Sequence, residues 1–277
     1  MKKCLTGDIP GEPDRFSPDS GRVTRISPDE PSASSLDGSY LCLDPEVEGM
    51  EHVDLSHPLE PGPPAYPGDP PVEIEPHAAY DADGYRVARL SVGSHSGTHV
   101  DAPAHLLADG PTLDDYPVDT FAFDTLRVSI PDPDPRERIT RSAVLDFLDD
   151  TDLRNVESAL QDVDLLAVHT GWDDHWGTDE YLDHPYLAPD LARWLADHEC
   201  HVGVDAISVD PTPTQRAVPD EPDGFPAHRT LLGADRVIVE NLTGLSAVPE
   251  RFSLLAFSLS IPDADGAPVR AVAQVPD

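Results

Sequence analysis

What most constrains this chain is a series of short apolar runs at residues 165–170, 201–206, 236–240 and 254–259. Runs of this length suit buried strands, because a core helix needs ten or more periodic residues. Helical patterns fall between and before them. One covers residues 140–150, starting near Thr140 or Ser142, and one covers residues 187–198, where Pro189 suits a first turn that leaves its amide unpaired anyway. Strands interleaved with helices define a mixed α/β class, with connectivity left open. In a chain of 277 residues without internal repeats, one large domain is expected.

Residues 1–49 break this pattern. They are rich in Pro, Ser, Asp, Gly and Glu without sustained periodicity, the composition of a segment that cannot bury enough apolar surface to order itself. A disordered acidic tail over 1–49 and a catalytic domain over 50–277 are therefore expected. Met50 opens the first core strand at residues 50–56 and is a second candidate start. Between residues 66 and 76, prolines and Gly68-Asp69 prescribe a loop, since proline fixes φ and cannot donate to a ladder. Residues 85–92 alternate, placing Ala88, Leu90 and Val92 on one face, and read as a strand.

Charge excludes some partners. Asp and Glu number 53 against 18 Lys and Arg, a formal net charge of −35, and the only lysines are Lys2 and Lys3. Such a field repels nucleic acid and anionic lipid. No apolar run approaches the roughly 18 residues of a membrane span, and no signal-peptide core follows Met1, so a cytoplasmic location is expected. The acids are spread along the whole chain, which favours adaptation to high salt over an acidic tail that captures a basic partner. Lowering salt is accordingly expected to lower the melting temperature, since self-repulsion grows as screening is removed. Full stability in dilute buffer would contradict salt adaptation. Cys4, Cys42 and Cys200 show no C-x-x-C spacing, and the run His198-Glu199-Cys200-His201 is one residue short of H-E-x-x-H, so neither reads as a metal site.

The chemistry concentrates in His95-Ser96-Gly97-Thr98-His99-Val100-Asp101-Ala102-Pro103-Ala104-His105. Three histidines and an aspartate in eleven residues, directly after a strand, strain the reading of ordinary loop residues. Gly97 and Pro103 argue against a regular helix, so a strand-end loop wrapping around an ion is expected. Imidazoles with a carboxylate suit zinc, manganese or iron better than calcium or magnesium. A serine nucleophile is disfavoured, because residues 93–97 carry His95 where a G-x-S-x-G elbow needs its serine.

This segment resembles the H-x-G-T-H-x-D-x-P-x-H signature of the cyclase or kynurenine formamidase-like metal hydrolases, which include arylformamidases and isatin hydrolases. The resemblance runs from about Val53 to Ala273 and includes Tyr66-Pro67-Gly68-Asp69, Thr170-Gly171-Trp172, residues 202–210 and Glu240-Asn241-Leu242. It implies a swivelling β/β/α domain, a homo-oligomer (dimer or tetramer) and a pair of divalent transition-metal ions, zinc foremost with manganese as alternative. The implied ligands are His95, His99, Asp101, His228 and Glu240, with Asp101 and Glu240 bridging. His105 is the implied acid/base residue. The implied reaction is hydrolysis of an amide-type carbonyl of a small molecule, such as an aryl formamide, by metal-activated hydroxide. A cyclic amide such as isatin, or a non-catalytic metal-binding role, are the alternatives. Arylformamidases of this family carry tryptophan where this chain has Tyr66, in the substrate loop. Trp172 and Trp176 suit either the same pocket or the core.

Overall fold

The computed structural model describes residues 49–62, 65–150 and 160–276. Apart from Gly49, the tail expected over 1–49 lies outside the described residues, as do Cys4 and Cys42. The strands are β1 (Met50–Asp54), β2 (Glu73–Ala78), β3 (Val87–Ser91), β4 (His99–Asp101), β5 (Ala122–Ser129), β6 (Arg138–Ile139), β7 (Leu165–His169), β8 (Tyr186–Leu187), β9 (His201–Val204), β10 (Ile238–Glu240), β11 (Arg251–Leu255), β12 (Gly266–Pro268) and β13 (Val272–Pro276). The described helices are α1 (Tyr80–Asp83), α2 (Arg141–Asp150), α3 (Pro189–Asp197) and α4 (Pro226–Gly233).

Nine strands form one mixed sheet in the order β1-β13-β11-β5-β7-β9-β10-β4-β12, so the expected α/β class holds. β5, β7, β9 and β10 run parallel at its centre, and antiparallel strands flank them. Both faces of the centre are covered, which explains why β7 is almost wholly apolar. Leu166 and Val168 pack on one side with α2, α3 and α4, while Leu165 and Ala167 face Val100, Val239 and Leu254 on the other. The side-chain period of two thus splits the strand between two cores. Thr140 accepts the Ala143 amide at 3.3 Å just before α2, and Pro189 opens α3, as their residue types require.

Three expectations shift. The loop expected between residues 66 and 76 gives way at Glu73 to β2, where Pro76 is tolerated because both strands of a two-stranded sheet are edges. The run at 254–259 is strand only through Leu255, because Arg251, Phe252 and Ser253 supply the register against β5. The strand expected at 50–56 is β1, which spans Met50–Asp54 only and is an edge strand paired with β13 and mostly exposed, rather than a core strand. The strand expected at 85–92 is β3, but it pairs with β2 in a separate two-stranded sheet. Cross-strand pairs Ile74 with Leu90 and Pro76 with Ala88 form an apolar face there, and Leu90 is 62% exposed. Among the described residues no helix is long and apolar enough to cross a membrane.

Candidate metal centre

Adjacent strands β12, β4 and β10 build the site. His99 and Asp101 lie two apart on β4 and therefore share a face. Glu240 on β10 is paired in register with His99, which brings His99 Nε2 to 3.4 Å from Glu240 Oε2. The expected strand-end loop is thus only half right: His99 and Asp101 belong to a strand, and only His95 sits in the preceding turn. Tight packing on the other side requires a glycine. A Cβ on Gly266, the β12 partner of Asp101, would fall 2.6 Å from His95 Cε1. Asn241 pins the turn from behind, donating to Gly97 O at 2.9 Å while its own carbonyl accepts from Thr98 Oγ1 at 2.6 Å.

His228 arrives on α4, and Asp210 places it. That carboxylate accepts the Ala227 and His228 amides at 2.9 Å each and His228 Nδ1 at 2.9 Å, leaving Nε2 directed at Asp101 Oδ2 (3.5 Å) and Glu240 Oε1 (3.3 Å). A partner on one imidazole nitrogen fixes the tautomer and frees the other for a metal. His99 is handled alike, with Nδ1 2.8 Å from Gly97 O.

His95, His99 and Asp101 bring ligand atoms within 4.8 Å of one another, and so do Asp101, His228 and Glu240. Asp101 belongs to both groups and is fully buried. His99 Nε2 and Asp101 Oδ2 are buried without a hydrogen-bond partner, which is costly unless something else satisfies them. Donor set, burial and orphaned atoms all fit transition-metal binding.

Electrostatics follow from this crowding. Burial alone would depress the His99 imidazolium, but Asp101 and Glu240 override it and lift its pKa to about 10. Asp101 is itself held well below the usual carboxylate range, since His99 and His95 outweigh its burial. Because the folded His99 value exceeds the ordinary 6.5, the stability it contributes to chelator-treated protein is full below pH 6.5 and is lost as pH rises towards 10. A melting temperature that falls over that window without metal, and stays flat with zinc, is the expected result; a flat profile for both would refute it.

His105, in a 3-10 turn after Pro103, stands outside the two groups that share Asp101. Its ring lies 4.0 Å from that of His95 and 5.9 Å from that of His228. Burial, aided by His95 and His228, lowers its pKa against the pull of Asp101 and Glu240, which favours the neutral imidazole. Tyr66, Asp69, Ile207, Ser208 and Phe225 complete the cavity wall. Burial pushes the Tyr66 phenol up to about 12, which keeps it a hydrogen-bond donor. Trp172 is not in the wall. It packs one layer behind with Tyr181 and Ile207, its indole N–H donating to Tyr181 O at 3.0 Å. Trp176 is stacked on His57 at 3.9 Å. Residues 211–224 link Asp210 to Phe225, held by Arg136, which donates to both Glu221 oxygens at 2.5 Å and to Thr212 O at 2.9 Å.

The cysteine cluster is structural, as expected. Cys200 is buried and donates to His201 O, while His198 and His201 spend their Nδ1 atoms on Trp194 O and the Val237 amide. Asp210 and Asp265 were not singled out by sequence reasoning. Asp265 lies 170 residues along the chain from His95, and Asp210 lies 18 residues from His228, across the connection that leads into α4.

The Cyclase family model matches residues 53–211, more than half of the chain. The chain belongs to the cyclase family. This cyclase-family chain is 32% identical over 228 residues to a kynurenine formamidase of Salinibacter ruber, spanning 80% of this chain and 97% of the relative. It is 33% identical over 232 residues to a kynurenine formamidase of Erythrobacter litoralis, spanning 81% and 94%. Among solved structures it resembles isatin hydrolase A of Labrenzia aggregata bound to benzyl benzoate, with 25% identity, a TM-score of 0.68 and coverage of 82% and 94%. As a member of that family it is a metal-dependent hydrolase acting on carbon–nitrogen bonds other than peptide bonds.

Proposed function

We propose that this cyclase-family protein hydrolyses an aryl formamide such as N-formylkynurenine, using His95, His99, Asp101, His228 and Glu240 to hold two divalent ions, zinc foremost. The observation that carries this reading is that one buried carboxylate, Asp101, belongs to two converging ligand groups while His105 stands beside them. When bound, such ions polarise a carbonyl and lower the pKa of water. The protein's own residues do the rest. Tyr66 and Phe225, with ring centroids 6.3 Å apart, form an aromatic wall for the aryl group. Neutral His105 takes a proton as water adds to the formyl carbon and returns it to the nitrogen as the carbon–nitrogen bond breaks, releasing formate and an arylamine. The domain at 50–277 carries all of these residues, and residues 1–49 are read as a tail outside it. The apolar face of the β2–β3 hairpin supports a homo-oligomer, since a lone hairpin is marginal in water.

The second reading, a cyclic amide substrate, is favoured by the likeness to isatin hydrolase A. A turnover screen over N-formylkynurenine, formanilide, isatin and simple esters separates them. Formamide turnover is expected, with Tyr66→Trp changing KM within about tenfold, because an aromatic wall survives while the phenol hydroxyl is exchanged for a larger indole with an N–H donor. If the native protein ignores formamides and the Tyr66→Trp variant gains them, the hydroxyl has redirected specificity. If neither turns over any formamide, the formamidase reading fails.

A further inference from the structure

Each histidine of the cluster has one nitrogen committed to something other than the centre. For His228 the partner is Asp210, and for His99 it is Gly97 O. His95 follows the same rule through Asp265, which precedes β12. His95 Nδ1 faces Asp101 Oδ1 at 2.7 Å, and His95 Nε2 is 3.0 Å from Asp265 Oδ2. The same oxygen lies 3.5 Å from His105 Nδ1. Its placement is set by backbone: Asp265 O accepts the Ala102 amide at 2.9 Å, and Gly266 pairs with Asp101. One strand end therefore fixes a carboxylate between two imidazoles whose rings are 4.0 Å apart.

We propose that Asp265 is a positioning residue that orients His95 and His105 together through a single carboxylate oxygen. The inference rests on the reading of His95 as a ligand and His105 as the proton carrier. Holding His95 Nε2 turns Nδ1 inward to Asp101 and the centre. Holding His105 Nδ1 leaves Nε2 as the nitrogen available to a substrate. Carboxylates in this relation to a ligating histidine commonly contribute 10- to 100-fold in metal affinity or activity. Because the Asp265 side chain is 44% exposed, the fold tolerates its replacement.

The test needs no substrate in its first arm. Zinc affinity of the full chain is measured by competition with a chromophoric chelator for Asp265→Ala and Asp265→Asn, with melting temperatures confirming that both fold. Asp265→Ala is expected to bind zinc about 10- to 100-fold more weakly while reaching native stoichiometry at saturation. Asp265→Asn, whose amide oxygen still accepts from His95, is expected to recover most of that loss. In the second arm, zinc-saturated Asp265→Ala is expected to lose about tenfold or more in kcat on formanilide with KM little changed. Native affinity in the alanine variant, or an asparagine variant no better than alanine, would overturn the proposal. Loss of one ion at saturating zinc would also overturn it, by making Asp265 a ligand. A protein inactive on every formamide would fail only the substrate reading, because the affinity arm stands apart from it.

Discussion

Asp101→Asn is expected to lose metal and turnover together. Asp101 is the side chain on which the cluster closes: Oδ1 lies 2.7 Å from His95 Nδ1 and 3.2 Å from His99 Nε2, while Oδ2 lies 3.5 Å from His228 Nε2. The amide removes the negative charge and can turn an N–H group towards imidazoles that need an acceptor or a shared ion. Three histidines then converge with Glu240 as the nearest remaining carboxylate among the proposed ligands. Breaking a buried ionic arrangement by neutralising one member costs about 3–5 kcal/mol, so metal-free Asp101→Asn should also melt earlier than metal-free native protein. Metal analysis after dialysis against a chelator, with turnover on formanilide, checks the result. Stoichiometric metal with normal turnover would show that Asp101 bridges nothing.

His105→Ala should behave oppositely, keeping its metal and losing about 10²- to 10⁴-fold in turnover. The imidazole packs beside His95 without belonging to either ligand group that contains Asp101, and burial favours its neutral, proton-accepting form. Adding free imidazole should restore part of the rate, since the space left by the ring opens on the cavity. Reduced metal content would instead make His105 a ligand. An unchanged rate would remove it from proton transfer.

The ligands from His95 to Asp101 were legible because they are local: type and spacing alone bring them near one strand. The central strands were legible for a related reason, since continuous apolar runs need cover on both faces, and Leu165 to Val168 have it. Asp210 and Asp265 were not. One belongs to a segment recognised only by resemblance and the other to the turn before a three-residue strand, and each gains its role from pairing that no local pattern encodes. Trp172 shows the same limit, because proximity to a pocket and membership of its wall differ by one layer of packing, here Ile207. In the hairpin, the alternation of Ala88, Leu90 and Val92 was read correctly as a strand, yet that signal says nothing of where in the sheet the strand goes.

The in-register pairing of His99 with Glu240, and of Asp101 with Gly266, reaches beyond chemistry. A slip of one residue between β4 and β10 would turn His99 and Asp101 to the opposite side of the sheet and away from Glu240. A chain folded with that error could assemble a plausible core and still hold no ion. Metal uptake is therefore expected to report on register: after metal is added back to chelator-stripped protein, only chains whose β4 and β10 have paired as described regain the full ligand set.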